Sequence, residues 1–197
     1  LNFLAHLYLS QSNTEVMIGN FIADSIKGKK FQHYSRDIQH GIILHRAIDS
    51  FTDFHEIVRR SKRRLDKRYG LYTGIIVDIF YDHFLAKNWD AYSAIPLEIY
   101  IDSVYQLLMK HIDILPKKTQ ELLPYMIEYN WLYNYQFMEG MQRVLNGMNR
   151  RTQLKSQMHL ATEDLQKHYD DFEQDFTEFF IELQKFSAKK LIEIQTV

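Results

Sequence analysis

The stretch Gly70–Trp89, GLYTGIIVDIFYDHFLAKNW, decides the fold class. Ile75, Ile76, Val77, Ile79, Phe80, Phe84 and Leu85 make it apolar nearly all round at helical spacing, which predicts a helix over Leu71–Ala86 at the centre of the molecule. Asp78 and Asp82 are four residues apart and share one face of that helix, with His83 beside them. An ionised carboxylate is costly to bury without a partner, so the pair calls for a metal, an arginine or a proton. The plainer alternative is that one Asp caps a neighbouring helix and the other meets solvent.

Working outward, the rest of the chain also reads as helical. Seven Gly and three Pro interrupt 197 residues, and no segment alternates with a strand period, so the expected fold class is all-α. The opening segment Asn2–Ser10 is mostly apolar, with His6 in its middle. Ser12, Asn13 and Thr14 look like caps for a helix over Glu15–Lys27, which carries Asp24 among apolar neighbours. A helix over Tyr34–Phe51 places His45 and Asp49 at i and i+4, with Arg46 next to them. Thr52–His55 reads as a break with a fresh cap, and Arg59–Arg68, RRSKRRLDKR, as a basic helical run ending at Gly70. Downstream helices are expected to His111 from a start at Ser93 and Pro96, over Pro116–Glu128 with Pro124 as a bend or break, and over Trp131–Met148. A last helix is expected over Ala161–Leu191, with Leu165, Tyr169, Phe172, Phe176, Phe179 and Leu183 on one stripe. No repeat or linker divides the chain, so one domain over 1–197 is expected.

Composition narrows the function. The formal net charge of −1 gives no global field toward nucleic acid or membrane, and no apolar run approaches a membrane span of about 18 residues. There is no cysteine, so any metal must be held by His and carboxylates. No basic leader with a cleavage site is visible, which makes the cytoplasm the expected location.

His6, Asp24, His45, Arg46, Asp49, Asp78, Asp82 and His83 stand out as polar residues set in apolar helices, in four separate segments. A mixed His/carboxylate set suits Mn, Fe or Zn better than Ca, and helical i,i+4 pairs are how bundles aim ligands at a shared centre. Each member alone has a plain reading: His6 as a core histidine, Asp24 as a cap, Arg46 as the partner of Asp49 or Asp82. Together they favour one mixed site. Asp53 and His55 read as local caps, and His33, His40, His111, His159 and His168 as surface residues.

The strings NFLAHLYLS, GNFIADSIKG, GIILHRAIDSFTDFH, GIIVDIFYDHFLAKNW and VLNGMNRR, in this order, resemble the acyl carrier protein phosphodiesterase family. The resemblance implies a helical bundle divergent from the HD-domain phosphohydrolases. It implies hydrolysis of holo-acyl carrier protein to the apo form and 4′-phosphopantetheine, with a divalent metal, most often Mn²⁺. It implicates Asp24, His45, Asp49, Asp82 and His83, with His6 and Asp78 as further candidates. The doublet here is Asp82-His83, the reverse of the His-Asp order of the wider superfamily, so ligand roles do not transfer by order.

On that reading Asp24 orients or deprotonates the attacking water, Arg46 neutralises phosphate charge, and His6 is a candidate acid for the leaving serine. Arg59, Arg60, Arg63 and Arg64 would steer an acidic carrier protein, against the plainer reading of a solvated helix face. A prosthetic arm would need an apolar, aromatic groove, for which Trp131, Tyr133, Tyr135 and Met138 are candidates if they are not core. Two other classes stay open: an HD-like phosphohydrolase of a small nucleotide or phosphoester, and a non-enzymatic helical binding protein.

Overall fold

The computed structural model describes residues 1–65 and 67–196, and every regular element among them is helical. Eleven α-helices follow in order: α1 (Phe3–Leu9), α2 (Thr14–Ile22), α3 (Arg36–Phe54), α4 (Glu56–Arg64), α5 (Thr73–Lys87), α6 (Leu97–Lys110), α7 (Lys117–Glu128), α8 (Trp131–Asn134), α9 (Met138–Arg151), α10 (Ala161–Lys167) and α11 (Tyr169–Gln195). The all-α expectation holds.

Helix α5 is the central one. Ile76, Val77, Ile79, Phe80, Phe84 and Leu85 are all fully buried. It starts at Thr73, two residues later than the pattern suggests. Gly70 sits at φ +49 inside a 3-10 turn over Lys67–Tyr72 and leaves Leu71 98% exposed. A positive φ is strained for any residue with a Cβ, which explains a glycine at this kink. Along one side of α5 lies α11, whose Phe172, Phe176, Phe179, Phe180 and Leu183 are buried in the same core.

Helices α2 and α3 approach closely because both are notched by glycine. A Cβ on Gly19 would lie 2.0 Å from the Ile38 carbonyl oxygen, and one on Gly41 would lie 2.1 Å from that of Val16. Asn13 caps α2 by accepting from the Glu15 and Val16 amides, and Ser35 caps α3 by accepting from Ile38. This crossing sets the depth at which residues of α3 meet those of α2.

Several boundaries differ from the sequence pattern. Helix α2 ends at Ile22 and tightens into a 3-10 turn over Ala23–Ser25, so Asp24 sits on a turn rather than a helix face. Helix α3 continues to Phe54, and the basic run is helical only to Arg64; Asp66 lies outside the described residues. Pro124 stays inside α7, while the last two expected helices break at Tyr135–Phe137 and at His168. His40, expected at the surface, is buried beside Asp37. Among the described residues no helix is long and apolar enough to cross a membrane.

Candidate metal centre

Helices α1, α2 and α3 bring their polar residues to one place. His6 from α1 and His45 from α3 stack face to face, with ring centroids 3.9 Å apart. Both are buried. Asp49, one turn after His45, places Oδ2 3.0 Å from His45 Nε2 and Oδ1 3.2 Å from His6 Nε2. Asp24, on the turn after α2, places Oδ1 3.2 Å from His45 Nε2. One ligand atom each from His6, His45 and Asp49 lies within 4.8 Å of the others.

Asn20 organises this cluster from behind. His45 Nδ1 lies 2.9 Å from the Asn20 carbonyl oxygen and 3.1 Å from its Oδ1, so Nδ1 carries the proton and donates. That aims Nε2 at the two carboxylates, the outer hydrogen bond being the kind that orients a metal-ligating imidazole. The Asn20 amide nitrogen donates to the His6 carbonyl at 2.8 Å and to Ser10 Oγ at 2.9 Å, fixing α1 against α2.

The electrostatics are those of a cation site filled by protons. Burial opposes a charge on His45, but the hydrogen-bonded Asp24 and Asp49 overcome it and push His45 up to about 9. Burial also works against ionising Asp49, yet the His45 and His6 rings hold it far below the usual carboxylate range. The hydrogen bond from His45 lowers Asp24 as well. Burial and the neighbouring His45 push His6 down to about 4, so it is neutral at pH 7.

Two observations test whether a metal suits these residues. His6 Nδ1 is buried without a hydrogen-bond partner, and the only group near the buried Nε2 is Asp49 Oδ1 at 3.2 Å, a poorly satisfied position that a metal bond to Nε2 would relieve. Neighbouring ligands about 2.1 Å from one ion and at right angles to each other are about 3 Å apart. His6 Nε2 lies 3.2 Å from Asp49 Oδ1 and His45 Nε2 3.0 Å from Oδ2, each near that spacing, and one ligand atom from each of the three residues falls within 4.8 Å of the others. Two imidazoles and a carboxylate, with Asp24 adjacent and 76% exposed, suit Mn, Fe or Zn with positions left open.

The other expected site residues have different partners. Asp82 is fully buried, and its two oxygens accept from the Leu4 and Ala5 amides at 2.7 and 3.1 Å. It thus caps α1 from another helix, and burial pushes it up to about 7. Asp78 lies 3.1 Å from the Leu1 nitrogen. His83 Nδ1 lies 2.7 Å from the Tyr135 carbonyl oxygen and Nε2 2.8 Å from the Tyr169 hydroxyl, so both ring nitrogens are taken. The expectation that Asp78, Asp82 and His83 are ligands gains no support from these contacts. The Asp82 position on α5 holds the first turn of α1, and through it His6.

Arg46 is also used elsewhere. Its guanidinium donates to the Ile26 and Gly28 carbonyls at 3.0 and 2.9 Å and lies over Phe31, so it staples the loop after Asp24. His6 is one of the three residues that could hold a metal ion. In the basic run, Arg60 and Arg64 pair with Asp175, a carboxylate buried in α11 that also accepts from Ser61 at 2.7 Å. Arg59 pairs with Glu56. His55 accepts from the Ile57 amide, the cap expected of it, and Asp53 pairs with Lys62.

Two grooves meet at Asp24, beside the cluster. The first, about 620 Å³, runs past Asp24, Asp49, Asp78 and Lys62 to the exposed Leu71 and Ile75. The second, about 640 Å³, runs from Asp24 between α8 and α9, past Phe3, Trp131, Val144 and Arg143. Asn2, Asp24 and Met148 line both. Of the candidate arm residues, Trp131 and Tyr135 line the second groove; Tyr133 and Met138 are half-buried against the core. Asn20 and Lys62 were not legible as site residues. The only signal for Asn20 is an amide in an apolar helix one turn before Asp24.

Helices throughout the described residues, with two buried imidazoles and two carboxylates gathered beside the junction of two grooves, define a class: a helical scaffold with a candidate divalent-metal centre. A sequence profile for acyl carrier protein phosphodiesterases matches residues 1–183, and the chain belongs to that family. It is similar to a Photorhabdus laumondii protein named acyl carrier protein phosphodiesterase, 34% identical over 184 residues and 91% of each chain. A Salmonella agona protein of the same name is 32% identical over 194 residues, which is 98% of this chain and 100% of that one. No solved structure matches.

Proposed function

We propose that this protein is a metal-dependent phosphodiesterase that hydrolyses holo-acyl carrier protein to apo-acyl carrier protein and 4′-phosphopantetheine. The observation that carries this reading is the cluster of His6, His45 and Asp49 beside Asp24, which lines both grooves, in a chain of this family. We read residues 1–197 as one domain, since the buried apolar side chains form one cluster.

His6, His45 and Asp49 would hold a divalent ion, with Asp24 beside it, and Mn²⁺ is the ion we propose. Such an ion, when bound, polarises the non-bridging phosphate oxygens and lowers the pKa of a water on it. Asp24 faces both grooves and takes the proton from the attacking water as its oxygen bonds to phosphorus. The bond from phosphorus to the serine oxygen breaks, and that oxygen leaves with the electron pair. Lys62, in the first groove with Asp49 and Asp78 and paired with Asp53, gives that oxygen a proton from its ammonium group, so the carrier leaves with a serine hydroxyl. It also takes the electrostatic role expected of Arg46. The tight stacking of His6 on His45 and the Asn20 hydrogen bond fix the ligand set before substrate arrives, so little reorganisation remains.

The carrier protein docks on the open side of the first groove. Arg63 is exposed, with no ion pair among the described residues, and Leu71 and Ile75 offer apolar surface beside the groove. Arg60 and Arg64 are instead engaged with the buried Asp175.

The test is incubation of the protein with holo-acyl carrier protein, with and without Mn²⁺, followed by mass analysis of the carrier. Loss of the phosphopantetheine mass only in the presence of metal is the expected result. An unchanged carrier mass with metal at saturation overturns the reading.

A further inference from the structure

We propose that the groove between α8 and α9 seats the 4′-phosphopantetheine arm of the carrier, and that Gly147 is the notch that admits it. This rests on the phosphodiesterase reading above and adds where the arm lies. The groove begins at Asp24 and Met148, which it shares with the groove at the candidate metal centre, so a ligand in it presents one end at that centre.

The wall of α9 is unusual. Arg143, Gly147 and Arg150 recur at i, i+4 and i+7, so they lie in a line along the helix. Among the described residues Arg143, Arg150 and Arg151 make no side-chain hydrogen bond or ion pair. Three free guanidinium groups on one groove make an anionic ligand the natural occupant. Gly147 stands between two of them. A Cβ there would meet nothing within 4 Å, and its φ is not positive, so neither packing nor backbone geometry demands a glycine. Glycine inside a helix is unfavourable relative to alanine, so the empty space is what the position provides.

The lining fits the arm's chemistry. The arm alternates a branched aliphatic segment with two amides. Phe3, Trp131, Val144 and Met148 supply apolar wall. Asn146 accepts from Gln142 through Oδ1, and Asn134 donates to the Tyr129 carbonyl through Nδ2. One amide donor on Asn146 and one amide acceptor on Asn134 therefore remain for a ligand. The volume of about 640 Å³ lies within the range of small-molecule sites.

The test is direct binding, read by Trp131 fluorescence, of 4′-phosphopantetheine and of unphosphorylated pantetheine to wild type and to Gly147→Leu. Leucine is a good helix former, so the variant is expected to keep wild-type helicity and metal content while losing at least tenfold in affinity for both compounds. KM for holo-acyl carrier protein is expected to rise by a similar factor. Wild-type affinity for 4′-phosphopantetheine in a folded Gly147→Leu protein overturns the proposal. Should that variant not fold, Arg143→Gln with Arg150→Gln carries the test. It should weaken 4′-phosphopantetheine at least fivefold and pantetheine little, and equal losses or none would overturn the assignment. A wild-type protein that fails to cleave holo-carrier sinks the phosphodiesterase reading itself; one that cleaves it, with Gly147→Leu cleaving equally well at low substrate, sinks only the groove.

Discussion

Metal and proton compete for His45, and the structure sets how strongly. Asp24 and Asp49 push the ring up to about 9 in the metal-free protein, so its Nε2 carries a proton at neutral pH. A metal must displace that proton. Each pH unit below about 9 therefore weakens apparent affinity about tenfold, or about 1.4 kcal/mol. Between pH 6.5 and 8.5 the gain is about 100-fold, or roughly 2.7 kcal/mol. His6, pushed down to about 4, and Asp49, already ionised, add nothing in that window. The assay is calorimetric titration with Mn²⁺ at several pH values, each in two buffers of different ionisation heat. Release of about one proton per ion near pH 7 is expected. Affinity that is flat from pH 6.5 to 8.5, with no proton released, would refute the assignment of His45 Nε2 as a ligand. In the metal-free protein the same proton is stabilising. The folded pKa is raised from 6.5, so that stability is fully present below pH 6.5 and is lost as pH rises through about 9. The melting temperature of the chelator-treated protein should fall across that range.

Asn20→Ala removes the Oδ1 acceptor of His45 Nδ1 and the donor to His6 and Ser10 but keeps the backbone carbonyl acceptor, so Mn²⁺ affinity should drop by about 10-fold, the low end for such a partner. Unchanged affinity by the same titration would show that His45 is oriented by something else. Asp82→Ala strips the caps from the Leu4 and Ala5 amides and should cost about 1–3 kcal/mol in urea unfolding. Its effect on metal content should come through displaced His6, so saturating Mn²⁺ is expected to restore it in part. Arg60→Ala with Arg64→Ala leaves Asp175 buried with only Ser61, and should destabilise by about 3–5 kcal/mol. Arg59→Glu with Arg63→Glu should instead leave the melting temperature within a few degrees of wild type. It should lower kcat/KM for holo-carrier, with a weaker salt dependence than wild type. The opposite pattern in the two double variants would return Arg60 and Arg64 to the docking surface.

The sequence by itself determined the all-α class, because the apolar positions of α3, α5 and α11 repeat at helical spacing over long segments. It also determined the composition of the candidate site: without cysteine, only His and carboxylates remain, and His45 and Asp49 share a face by spacing alone. Which further residues join them depended on contacts between distant segments. His6 faces His45 only because Gly19 and Gly41 let α2 and α3 approach and Asn20 ties α1 to them. Asp78, Asp82 and His83 looked equally eligible, since a buried acid or imidazole on an isolated helix does not reveal what neutralises it. Tertiary structure supplied the answer: backbone amides at the start of α1 satisfy Asp82, and Tyr135 and Tyr169 satisfy His83. The same holds for the basic run, where Asp175, more than a hundred residues away, pairs with Arg60 and Arg64. Local spacing fixes which side chains share a face, but the partner of a buried charge is chosen by whichever distant donor or acceptor the packed fold brings within hydrogen-bond reach.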